Sequence, residues 1–169
     1  KYGIYNNYGQ DKDKLKDLVM FYSKNNKKLI TLKEYVDNMK ENQSTIYYAI
    51  GQNYDKISTL PQLEKISKLE YDVLYLTDYV DEFAITALQD YDGKKFQNIE
   101  KADLDIISEE EKKELEEINT KEKDMLEHMK EVLKDVSDVV FTTRLNDSPV
   151  CITTKGDISI EMQKVFAAM

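Results

Sequence analysis

Two short apolar runs limit what this chain can fold into. Ile46-Tyr47-Tyr48-Ala49-Ile50, ending at Gly51, and Val73-Leu74-Tyr75-Leu76 are rich in β-formers and lack polar alternation. Strands of that kind must be covered on both faces, as in parallel sheets flanked by helices. Between and after them the apolar period changes from two to about 3.6. Helical patterns lie around Tyr54 and Ile57 and from Pro61 through Leu63, Ile66 and Leu69, with Pro61 suited to a first helical turn. Asp78 is placed to cap a further helix with Val80, Phe83, Ala84, Ala87 and Leu88 facing inward. Asp92-Gly93 marks a turn, and Phe96-Gln97-Asn98-Ile99 supplies a third strand. Strand, helix, strand, helix, strand predicts a right-handed, Rossmann-like β-α-β-α-β subdomain, so the fold class is α/β.

The flanks of that unit read as helical on one side and α+β on the other. Leu15, Leu18, Val19 and Tyr22 fall at helical spacing and predict a leading helix. A second helix opens at Thr31, whose hydroxyl and Glu34 form a capping box ahead of the stripe Leu32, Tyr35, Val36 and Met39. A composition shift at 103–107 marks a boundary. Ser108 then caps a long helix with Glu109, Glu110 and Glu111 in its first turn, running to about Lys134. Val139 to Thr143 and Val150 to Thr154 predict an antiparallel hairpin turned by Asn146-Asp147-Ser148-Pro149. Ile158, Met162, Val165, Phe166 and Met169 line one side of a final amphipathic helix. Neither end carries a start or stop signal, which reads as a chain cut at both ends.

Charge and composition exclude several function classes. A net charge of −9 and a single arginine, Arg144, argue against nucleic-acid binding and against guanidinium clamps on phosphate. No apolar run is long enough to span a bilayer. The lone Cys151 excludes an internal disulfide and fits a cytoplasmic setting. Five scattered glycines give no phosphate cradle, and one histidine, His128, gives no metal site, so no cofactor or metal is expected to bind this chain. His128 reads as a surface residue and Cys151 as an inert core residue. The carboxylates Asp78, Asp81 and Glu82 could serve a small hydrolase or transferase, but helix capping explains them more simply. The stripe from Ile158 onward is either ordinary core or a Met-bearing surface for partner proteins.

Several segments, in order, resemble the 90-kilodalton heat-shock chaperone family and its bacterial branch. They are Glu34-Tyr35-Val36-Asp37-Asn38-Met39-Lys40-Glu41-Asn42-Gln43 with Ile46-Tyr47-Tyr48; Asp81-Glu82 with Leu88 and Asp90-Tyr91-Asp92-Gly93-Lys94; Thr143-Arg144-Leu145 with Ser148-Pro149 and Ile152-Thr153; and Met162-Gln163-Lys164-Val165-Phe166-Ala167-Ala168. The resemblance implies that residues 1–104 are the last part of the family's middle domain and residues 105–169 the first part of its C-terminal domain, without the dimerisation helices. It implies an internal piece of a cytoplasmic, homodimeric, Mg-ATP-driven chaperone, itself without the nucleotide site and expected to be monomeric. It implies non-native client proteins and co-chaperones as partners. The client contacts it implies are Glu82, Phe83, Ile158, Met162, Val165 and Phe166, with Phe83 standing where the bacterial branch often has Trp. A purely structural spacer is the remaining alternative.

Overall fold

The computed structural model describes residues 1–6, 9–101, 106–156 and 159–168, except the side chains of Val165, Ala167 and Ala168. At its centre is a six-stranded sheet of order β2-β1-β4-β3-β6-β5. β3 (Ile46–Ile50) lies between β4 (Leu74–Leu76) and β6 (Lys94–Asn98), parallel to both. The predicted parallel unit is present: the chain leaves β3, returns one place over as β4, and then crosses to the other side of β3 as β6. Alternation along β3 explains why it is apolar throughout. Ile46, Tyr48 and Ile50 enter one core with Leu74, Leu76, Ile85 and Leu88, whereas Tyr47 and Ala49 enter a second with Ile57, Leu63 and Ile66.

The crossovers follow the expected helices. α4 (Tyr54–Ser58) is capped by Asn53, whose side chain accepts the Lys56 N–H, and α5 (Leu63–Lys68) brings Leu63 and Ile66 onto the sheet. α6 (Tyr79–Leu88) starts at Asp78, whose N–H donates to the Asp81 carboxylate at 3.4 Å. It buries Val80, Ala84, Ile85 and Leu88. β5 (Asp90–Tyr91) pairs antiparallel with β6 around Asp92 and Gly93, both at positive φ (51° and 73°), as a tight two-residue hairpin requires.

The leading segment corrects the expectation of a helix through Tyr22. After the short α1 (Tyr2–Asn6) and α2 (Lys12–Leu15), the chain becomes β1 (Met20–Ser23), paired antiparallel with β2 (Lys28–Thr31) and with β4. A period of two was also present and prevails. Val19, Phe21 and Ser23 are buried and Met20 is exposed, while Tyr22, on the other face, packs against the second core and stacks on Tyr54 and Tyr75; Phe21 and Ile30 both reach the first core. The Thr31 capping box forms as predicted on α3 (Leu32–Asp37). Glu34 donates its N–H to Thr31 Oγ1 at 3.1 Å, and its carboxylate accepts the Thr31 N–H at 2.7 Å.

The predicted long helix is two: α7 (Glu109–Lys121), with the expected Ser108 capping box, and α8 (Lys123–Val132), interrupted at Glu122. The predicted hairpin over 139–154 does not form. Among the described residues, this stretch has one isolated bridge, between Lys101 and Thr154. Its backbone groups bond elsewhere. Phe141 N–H donates to Asn119 at 2.8 Å, Thr154 N–H to the Glu100 carbonyl at 2.9 Å, and Ile152 C=O accepts from Gln62 at 2.6 Å. Cys151 is accordingly half-buried, outside any strand, with its thiol pushed up by burial. His128 is exposed, 3.9 Å from Glu131.

α5 is the anchor for this stretch. The Glu64 carboxylate accepts the N–H groups of Asn146, Asp147 (3.0 Å) and Ser148 (3.1 Å) and the Ser148 hydroxyl, while Lys65 pairs with Glu111. These donors, the Ser148 hydroxyl first, push Glu64 down to about 2 from an ordinary 4.5. A depressed carboxylate supplies its hold above its ordinary value and loses it as pH falls toward its folded value. The amide resonances of residues 146–148 should therefore stay unchanged from neutral pH to about pH 4 and shift together in a transition centred near pH 2, and Glu64→Gln should abolish that transition.

Candidate functional site

Two of the residues singled out from the sequence, Glu82 and Met162, meet where the carboxyl ends of β3 and β4 open beside α6. α9 (Ile160–Ala168) lies against this opening. A crevice of about 240 Å³ is lined by Ile50, Thr77, Tyr79, Glu82, Glu161 and Met162, among others. In open α/β sheets such crevices at strand carboxyl ends are the usual places for binding. Here the walls are mostly apolar and Met162, 7% exposed, faces inward.

Glu82 joins the two helices. It is buried, and its carboxylate accepts the Ser159 hydroxyl at 2.8 Å and the Ser159 N–H at 3.3 Å. Ser159 Oγ in turn accepts the Met162 N–H at 3.1 Å, capping the first turn of α9. A second carboxylate, Glu100, just after β6, accepts the Ile160 N–H. The N-terminus of α9 therefore rests on two buried acids, whose oxygens accept N–H groups that have no partner within the helix.

Phe83 is half-buried on the adjoining face of α6. Its ring lies 5.0 Å from that of Tyr5, while Tyr2 meets Tyr79 edge-on at 6.4 Å with their hydroxyls 3.0 Å apart. Tyr2, Tyr5 and Tyr79 are exposed, and so is Phe166 on α9. The three tyrosines were missed in the sequence because they lie in short or polar surroundings and gather only when α1 packs on α6. Ile158 lies outside the described residues, as do the Val165 side chain, Met169 and the boundary between residues 104 and 105.

Each carboxylate considered for acid–base work has a structural partner. Asp78 sits at the N-cap of α6, Asp81 accepts its N–H and pairs with Lys1 at 2.7 Å, and Glu82 holds Ser159. Among the described residues no group of three metal-ligating side chains could hold an ion, and no helix is long and apolar enough to cross a membrane.

Comparison with known proteins gives one answer at every level. The family model described as Hsp90 protein matches residues 1–169. The chaperone protein HtpG of Oceanobacillus iheyensis is 48% identical over 169 residues, and that of Clostridium perfringens 46%. The HtpG of Bacillus velezensis is 48% identical over 170 residues. Each alignment covers 100% of this chain, which spans 27% of the relative's length. Among solved structures, the middle domain of a heat shock protein from Plasmodium falciparum superposes with a TM-score of 0.55 at 35% identity, covering 60% of this chain and 43% of that one. The α/β sheet, the segments quoted from the sequence and these whole-length matches agree: the chain belongs to the Hsp90 family of chaperones.

Proposed function

We propose that this chain is the client-contacting part of an ATP-driven chaperone, spanning the end of a middle domain (residues 1–104) and the start of a C-terminal domain (residues 105–169). The observation that carries the reading is the aromatic cluster of Phe83, Tyr5, Tyr2 and Tyr79 at the head of α6, beside α9 with its exposed Phe166. Exposed apolar rings favour association with the apolar surface that a partly unfolded protein displays, and the −9 net charge keeps the carrier soluble. Glu82 and Met162 act from behind this surface. Glu82 fixes the start of α9, and Met162 seats it in the crevice. Mg-ATP binding and hydrolysis, dimerisation and co-chaperone contacts belong, in this reading, to the remainder of a cytoplasmic protein of the relatives' length.

The test is a double substitution, Phe83→Ser with Phe166→Ser, made on the partly or fully exposed aromatics and leaving Met162 in place. Loss of this apolar contact should weaken binding of a permanently unfolded client, such as a reduced and alkylated protein, by about tenfold, on the order of 1.4 kcal/mol. Circular dichroism and the unfolding midpoint should change little. Equal client affinity in the parent and the double variant would sink the reading.

A further inference from the structure

The two acids beneath α9 are not equivalent. Glu82 has both carboxylate oxygens engaged by Ser159. Glu100 is 4% exposed, and its Oε2 lies buried with no hydrogen-bond partner. A buried ionised oxygen left unpaired is costly, whereas a protonated one is tolerated. Two further carboxylates face Glu100, Glu82 from α6 and Glu161 from α9 itself, while Asn98 from β6 and the Ile160 N–H favour its charged form. We infer that Glu100 is a positioning residue that couples the docking of α9, and with it the seating of Met162, to the uptake of one proton by its own carboxylate. In deepening the proposed client site this inference rests on that reading only for its consequence; the docking step stands on the contacts.

The sign follows from the surroundings. Burial first, then the charges of Glu161 and Glu82, hold the Glu100 carboxyl above the ordinary carboxylate range. Release of α9 removes Glu161 and the cover, so the released state binds the proton less tightly. Docking is therefore strongest in acid, below the ordinary range, and weakens as pH rises through the elevated value. A single such carboxyl changes the docked-to-released ratio by up to about tenfold per pH unit between its two values.

The experiment observes the chain with ¹³C-methyl methionine by NMR, where the Met162 methyl reports its seating in the crevice. The docked population should fall with rising pH in the parent. In Glu100→Gln, which keeps a carbonyl acceptor for Ile160 but cannot ionise, it should be independent of pH. Glu161→Gln, on the more accessible side of α9, should move the transition to lower pH without touching Glu100. A Met162 signal that ignores pH in the parent, a Glu100→Gln variant with the parent's slope, or an unmoved transition in Glu161→Gln would each overturn the inference. Because no client is present, failure of the double-serine test would remove the proposed function and leave this result intact.

Discussion

Tyr35→Phe should destabilise the chain by about 3 kcal/mol, although it removes one oxygen atom. Tyr35 is 2% exposed, and its hydroxyl donates to the Asp72 carbonyl at 2.6 Å while accepting from Gln43 Nε2 at 2.9 Å and the Tyr47 N–H at 3.2 Å. One hydroxyl thus ties α3 to the entry of β3 and to the residue preceding Val73. Burial holds its pKa well above the ordinary phenol range, so it stays a donor at every working pH. Phenylalanine fits the same space but deprives two buried donors and the half-buried Asp72 carbonyl of this partner, and the cost is their desolvation as well as the lost bonds. Urea unfolding should show a lower midpoint with an unchanged slope. Tyr91→Phe is the control. Its hydroxyl donates to Asp17 at 2.5 Å near the surface, where water can replace it, and the loss should stay below about 1 kcal/mol. Equal effects for the two variants would refute the account.

Arg144→Ala should have a similarly large effect on the stretch that follows α8. This single arginine is among the largest fully buried side chains, and its guanidinium Nη1 donates to the Lys101 carbonyl at 2.5 Å. Truncation removes a charge-assisted bond and leaves a cavity, together about 3 kcal/mol of local stability. The readouts are faster proteolysis across residues 139–154 and loss of amide protection at Thr154, whose N–H donates to the Glu100 carbonyl. Arg144→Lys should restore little, because an ammonium lacks the planar fork that reaches a carbonyl deep in the fold. Full protection in the lysine variant would show that charge alone suffices.

The parallel unit was legible because its signals were local and consistent: all-apolar strands, Asp78 and Thr31 at helix starts, Asp92-Gly93 at a turn. The first hairpin was not, since Leu15, Leu18, Val19 and Tyr22 satisfy a helical period by coincidence over eight residues, and only pairing with Lys28–Thr31 decides against it. The 139–154 stretch failed for the opposite reason. Its β-forming residues are present, but Gln62, Glu64 and Asn119 take up backbone groups that a ladder would have used. Phe83 and Met162 stood out by motif, and the structure places the first half-buried on α6 and the second in the crevice. The burial of Glu82 and the existence of Glu100 as its counterpart were not legible, because both depend on where α9 comes to rest.

The edges of the sheet have a bearing on the company such a protein keeps. β5, at one border, is two residues long and opens with Asp90, and β2, at the other, is four residues long and opens with Lys28 after Lys27 at positive φ. Short, charged borders are poor templates for strand addition. A chain proposed to gather unfolded polypeptides thus offers them rings and aliphatic surface but little backbone to extend, so that holding a client does not seed its conversion into cross-β aggregate.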